Sequence, residues 1–133
     1  MKNIIEHAKK AYYNSYSPYS KFGVGAAILM KDGKIIQGTN VENASFGLTN
    51  CAERSALFTA ISLGYKKEDI EKMVIIANTK RPISPCGACR QVMQELMPQE
   101  CDVILMNLEE DQKTLKIHQL LPYSFDKGDL NNG

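Results

Sequence analysis

Two largely apolar segments, KMVIIAN at residues 72–78 and CDVILMN at 101–107, stand on either side of a helical stretch, CGACRQVMQELM. Strands that are apolar at nearly every position, rather than at every second one, are covered on both faces. With a helix between them they form a strand–helix–strand unit. Helices alternating with strands after an opening hairpin predict a layered α/β domain built on a mixed sheet.

The rest of the chain fits that frame. Ile4, Ile5, Ala8, Ala11 and Tyr12 recur at helical spacing and predict a first helix. SYSPYSKFG breaks it with Pro18 and Gly23. VGAAILM and KIIQGTN flank KDGK, whose Asp32-Gly33 pair is a hairpin turn signal. VENASFGLT reads as a loop, and a second helix runs from Asn50 to about Leu63, where Gly64 ends it. TKRPISP is a loop before the third helix, which stops before Pro98. KTLKI reads as a short last strand and HQLL as a helical turn. With 133 residues and no repeat or linker, a single domain over 1–133 is expected.

Composition narrows the partners. Sixteen basic and 15 acidic residues leave a net charge of +1, with no long basic run, which disfavours a polyanion-binding surface. No apolar run is long enough for a bilayer-spanning helix, and MKNIIEHAKKAYYN lacks the apolar core of a secretory signal. The expected compartment is the cytosol, where thiols more often bind metals or do chemistry than form disulfides.

Three of the four cysteines sit in two compact clusters, TNCAERSA and SPCGACRQ. Cys86 and Cys89, three residues apart in a first helical turn, point the same way and can share a zinc ion. Ser84 and Pro85 suit a helix start, and the positive end of the helix favours thiolates. Cys51 occupies the start of another helix. If the two starts converge, three thiolates meet and leave a fourth zinc position for water, the mark of a catalytic site. Glu53 is near enough to reach that water without binding the metal. Three thiolates make zinc a weaker Lewis acid, so Arg54 and Arg90 are candidates to donate hydrogen bonds to the sulfurs.

Other readings stand beside this one. Asn50 and Glu53 form a capping-box pattern with Asn50 as N-cap. Cys86 and Cys89 alone fit a redox pair, and Cys101 or His118 could close a structural four-ligand site. The plainer reading of Cys101 is a small core hydrophobe, and of His7 and His118 ordinary surface or core histidines.

Cys-x-Glu followed by Pro-Cys-x-x-Cys resembles the signature of zinc-dependent nucleoside and nucleobase deaminases, including their all-cysteine version. YSPYSKF, VGAA, NVENASFG, CAERSA, SPCGACRQ and LLPYSF together resemble the small, all-cysteine form of the cytidine deaminase family, from about Ala11 to Phe125. The resemblance implies a three-layer α/β/α sandwich around a mixed sheet of about five strands. It implies one zinc ion per subunit on Cys51, Cys86 and Cys89, with Glu53 as proton shuttle. Phe22 matches an aromatic packed against the substrate, and Asn40 and Glu42 match side chains that hydrogen-bond the ribose. The Ala52 N–H matches a donor to the base, and the Ser84 carbonyl a group orienting its amino substituent. Phe125 matches an aromatic reaching a neighbouring subunit's pocket, which implies a homotetramer with shared sites.

Two positions depart from the family pattern. Gly23 stands where many relatives carry proline or a bulkier residue, which implies a looser strand start; Phe46 stands where many carry a tyrosine that contacts the sugar's 5′ side. The expected reaction is deamination of cytidine and 2′-deoxycytidine in pyrimidine salvage. Its rivals are a deaminase for another aminopyrimidine, a nucleic-acid editing enzyme, and a zinc-stabilised binding module without catalysis.

Overall fold

The computed structural model describes residues 2–80 and 87–120, apart from the side chains of residues 2, 46 and 87. Among the described residues, four α-helices and five strands follow the order α1 (Lys2–Tyr13), β1 (Val24–Met30), β2 (Ile35–Thr39), α2 (Ala52–Ser62), β3 (Ile70–Ala77), α3 (Gly87–Leu96), β4 (Asp102–Asn107), β5 (Gln112–Lys116) and α4 (Ile117–Leu120). Short 3₁₀ turns at Phe46–Leu48 and Lys67–Asp69 precede α2 and β3. The five strands make one sheet in the order β2-β1-β3-β4-β5. β3 and β4 are parallel and every other pair is antiparallel, so the sheet is mixed as the sequence predicts.

The apolar runs are continuous because each face of the sheet is covered by helices. Ala26, Ile28, Met73, Ile75, Val103 and Leu105 point to one side, where Ala56 and Leu57 of α2 and Met93 of α3 meet them. Ala27, Val74, Ile76, Ile104 and Met106 point to the other, against Ile4, Ile5 and Ala8 of α1. This is the three-layer α/β/α arrangement. Burying each of these larger side chains is worth about 1.5–3 kcal/mol.

Two glycines let the helices lie against the backbone of the sheet. A Cβ on Gly25 would fall 2.3 Å from the Ala8 carbonyl and the Tyr12 nitrogen of α1. One on Gly38 would fall 2.3 Å from the Ala52 carbonyl and 2.4 Å from the Ala56 nitrogen of α2. Any side chain at Gly38 would therefore push away the first turn of α2.

The register decides where the helices begin. Gly25 pairs with Thr39 and with Ile76, and Ile76 pairs with Met106. The C-terminal ends of β2, β3 and β4 therefore share one end of the sheet. The chain leaves β2 and β3 at that end, and α2 and α3 come next in sequence. In open α/β sheets this is where ligands bind. Among the described residues no helix is long and apolar enough to cross a membrane.

Candidate active site

The first turn of α2 supplies most of the described site. Cys51 is the N-cap, with extended backbone (φ −75°, ψ 154°), and its side chain makes no capping hydrogen bond. Helix α2 thus starts one residue later than an Asn50 cap requires, and the capping-box reading is corrected. Asn50 instead donates from Nδ2 to Ser55 Oγ at 3.1 Å, while its backbone exchanges two hydrogen bonds with Val41 at 2.9 Å each. The Cys51 sulfur is consequently not spent on the helix's own amides. Ala52 follows as the first helical residue, wholly buried; the first N–H groups of a helix have no partner within the helix.

Glu53 is 4% exposed, an unusual setting for a carboxyl group. Burial pushes its pKa up, and the nearby Cys51 charge adds to that. Hydrogen bonds from its own backbone and from Cys89, with the Arg54 charge, act the other way. Cys89, in the first turn of α3, is fully buried.

Arg54 binds the two helix starts together. Its Nη2 donates to Cys51 Sγ at 3.0 Å. That bond is the largest reason its pKa is raised, and Cys89 contributes through both charge and hydrogen bonding. One guanidinium therefore reaches a sulfur on α2 and a sulfur on α3. Arg90 donates from Nη1 to the Leu120 carbonyl at 2.9 Å, tying α3 to α4.

The donor set suits zinc. Thiol sulfurs are its preferred protein ligands, and a guanidinium donating into a sulfur favours the thiolate that binds metal. Among the described residues no group of three His, Cys, Asp or Glu side chains forms a metal cluster by itself. The third sulfur expected from sequence, Cys86, lies outside the described residues, as do Ser84 and Phe125. Cys101 and His118 are engaged elsewhere. The Cys101 thiol donates to the Glu71 carbonyl at 3.1 Å, and burial raises its pKa to about 11. His118 Nε2 lies 3.4 Å from Glu100 Oε1 with its side chain half exposed.

A second group of predicted residues lines the loop between α1 and β1. Asn40, 8% exposed, accepts at Oδ1 from the Val24 N–H (2.8 Å) and from Ser15 Oγ. Its Nδ2 donates to the Phe22 carbonyl and to Ser17 Oγ, both at 3.1 Å. All four of its hydrogen-bonding positions are occupied within the protein, so a sugar contact requires an exchange with one of them. Glu42 accepts from the N–H groups of Tyr19 (3.0 Å) and Ser20 (3.1 Å) and from Ser20 Oγ. The Ser20 hydroxyl is the main reason its pKa is lowered. Phe22 is 42% exposed. At Gly23 a Cβ would lie 3.2 Å from Ser15 Cβ and Oγ and 3.4 Å from Tyr12 Cε1, tight enough that a larger residue there needs Ser15 to give way. Ser15 and Ser17, which the sequence reading did not single out, are what hold Asn40. The Phe46 side chain lies outside the described set.

Sulfur at two helix starts and a buried carboxyl, at the ligand-binding end of a three-layer α/β/α sheet, are the donor types of the thiolate-rich metalloprotein class. Comparison with known proteins narrows the class. Residues 1–105 match the family described as the cytidine and deoxycytidylate deaminase zinc-binding region, and the chain belongs to that family. It is 52% identical over 129 residues to a cytidine deaminase of Halalkalibacterium halodurans, covering 97% of this chain and 96% of the relative. It is 44% identical to one of Sporosarcina psychrophila, over 98% of this chain and 95% of that protein. A crystal structure of cytidine deaminase from Burkholderia pseudomallei superposes with a TM-score of 0.91 at 48% identity, covering 93% of this chain and 98% of that one. The cofactor of this family's matched region is zinc.

Proposed function

We propose that this chain is a single-domain, zinc-dependent cytidine deaminase that converts cytidine and 2′-deoxycytidine to the corresponding uridines and ammonia. The observation that carries the reading is the hydrogen bond from Arg54 to Cys51 at the start of α2, beside the buried Glu53 carboxyl and with the buried Cys89 thiol near enough to act on both charges.

Cys51, Cys86 and Cys89 hold the zinc. When bound, zinc supplies the Lewis acidity that makes water nucleophilic near neutral pH. Glu53 takes a proton from the attacking water and passes it to N3 of the cytosine ring, which makes C4 more electrophilic. The water oxygen bonds to C4. Glu53 then takes the remaining proton from the oxygen now bonded to C4 and gives it to the exocyclic amino group; the C4 carbonyl forms as the bond from C4 to that nitrogen breaks, and ammonia leaves. One carboxylate serves every transfer, and its burial keeps bulk water from competing for the proton.

The Ala52 N–H holds the base's O2, and the Ser84 carbonyl orients the amino group. Phe22 packs on the substrate, and Asn40 and Glu42 hydrogen-bond the sugar. Free cytosine lacks the sugar and forgoes the binding energy of these contacts, so it is a poor substrate. Arg54 disperses thiolate charge. A homotetramer, with Phe125 completing a neighbour's site, agrees with Phe58 (45%), Ile61 (46%) and Leu63 (65%) exposed along and just beyond α2. The reading places the enzyme in the cytoplasm, in pyrimidine salvage.

Turnover of cytidine, cytosine and dCMP, with and without a chelator, tests the proposal. Chelator-sensitive formation of uridine, with cytosine inert, is expected. Activity on free cytosine alone, or on oligonucleotides but not nucleosides, overturns it.

A further inference from the structure

Asn40 follows β2, and its neighbour Val41 exchanges backbone hydrogen bonds with Asn50, the residue before the Cys51 cap, so Asn40 stands beside the start of α2. Two of the bonds on its amide go to the main chain: Oδ1 accepts from Val24 N–H at 2.8 Å, and Nδ2 donates to the Phe22 carbonyl at 3.1 Å. The other two go to the Ser15 and Ser17 hydroxyls, which also bond each other. One arrangement of protons satisfies the set. Oδ1 only accepts, so Ser15 spends its hydrogen there; Nδ2 only donates, so Ser17 accepts from it and passes its own hydrogen to Ser15. Asn40, Ser17 and Ser15 thus close a ring of hydrogen bonds in which each bond strengthens the next.

The two kinds of partner differ in how readily they leave. Val24 N–H and the Phe22 carbonyl belong to the main chain at the start of β1 and quit Asn40 only if that strand start moves. The serine hydroxyls turn about a single side-chain bond. Ser15 has the Asn40 carbonyl 3.5 Å away as a second acceptor, and both serines border an open hollow of about 350 Å³ together with Tyr12, Tyr13, Lys21 and Gly23.

We propose that Ser15 and Ser17 are specificity-determining residues: internal stand-ins that occupy Asn40 in the free protein and give way to a sugar hydroxyl of the nucleoside. A sugar hydroxyl both donates and accepts, as a serine hydroxyl does, so it replaces either one without leaving the Asn40 amide unpaired. The exchange uses up part of the affinity that the new contact supplies. The serine pair therefore sets how strongly the site rewards a hydroxylated sugar. The inference rests on the sugar contact of Asn40 proposed above.

The test compares the full-length, zinc-loaded Ser15→Ala/Ser17→Ala variant with wild type on cytidine and on 2′,3′-dideoxycytidine, which lacks both ring hydroxyls. With no tethered hydroxyl to displace, kcat/KM for cytidine rises about three- to tenfold through a lower KM, and kcat stays within about twofold. For dideoxycytidine kcat/KM stays within about twofold of wild type. An unchanged or raised KM for cytidine, or the same change on both nucleosides, overturns the assignment. Should the double variant not fold, the Cβ signals of Ser15 and Ser17 in wild-type NMR spectra decide. They shift with saturating uridine and stay in place with 2′,3′-dideoxyuridine; signals unmoved by uridine, or moved equally by both, overturn the assignment. Wild type that does not deaminate cytidine, or that accepts the two substrates equally, overturns the sugar contact as well. Wild type that prefers cytidine, with no gain in the variant, overturns only the role of the serines.

Discussion

Arg54 Nη2 lies 3.0 Å from Cys51 Sγ, one turn further along the same helix, and the same guanidinium also acts on Cys89 of α3. A charged donor to a metal-binding sulfur both orients the ligand and spreads its charge. Replacing it by Ala should weaken zinc binding about 10- to 100-fold, measured by competition with a chelator. The melting temperature of the zinc-stripped protein should change little, because Arg54 is not part of the hydrophobic core.

Gly38 and Gly25 are tests of which packed helix matters to the chemistry. Gly38→Ala presses on the Ala52 carbonyl and the Ala56 nitrogen, and Gly25→Ala on Ala8 and Tyr12. Each should destabilise by about 1–3 kcal/mol, as overpacking does, in chemical denaturation. Only Gly38→Ala displaces the turn that carries Cys51 and Glu53, so it alone should lose zinc affinity in the fraction that remains folded. Equal zinc affinity in the two variants would contradict the coupling of β2 to the site.

The sheet was legible in the sequence because its strands are buried on both faces. Val74 and Ile75 point opposite ways yet are both fully buried, so the stretch MVIIA within KMVIIAN has no polar position to confuse. The hairpin at Asp32-Gly33 was equally plain, since Gly33 takes φ 93° there. The start of α2 was misplaced because Asn50 is a good N-cap residue, whereas the cap is Cys51. Cysteine has no strong capping preference, and its place was set by what its sulfur does. Ser15 and Ser17 went unnoticed for a related reason. Two serines in a loop carry no pattern, and their importance appears only when Asn40 is seen beside them.

Cys101 should behave as a core thiol. Burial raises its pKa from 9.0 to about 11. Between those values the unfolded chain has lost the proton and the folded one keeps it, so this group's contribution is fully present below about pH 9 and declines as pH rises towards about 11. Cys101→Ser, whose hydroxyl does not titrate there, should lack that part of the decline in urea denaturation measured across the window. It should also keep its zinc, while Cys51→Ser loses it. Zinc loss in Cys101→Ser would revive a closed four-ligand site.

The central claim is that Glu53 moves the protons while sulfurs hold the metal. Glu53→Gln keeps the size and burial of the side chain and removes its ability to take a proton. The deciding measurement is kcat for cytidine in this variant, with zinc content determined on the same sample. Zinc retained at the wild-type level, with kcat lowered by about 10²- to 10⁴-fold, is the predicted result. A zinc-loaded Glu53→Gln protein that turns over cytidine at close to the wild-type rate would contradict it.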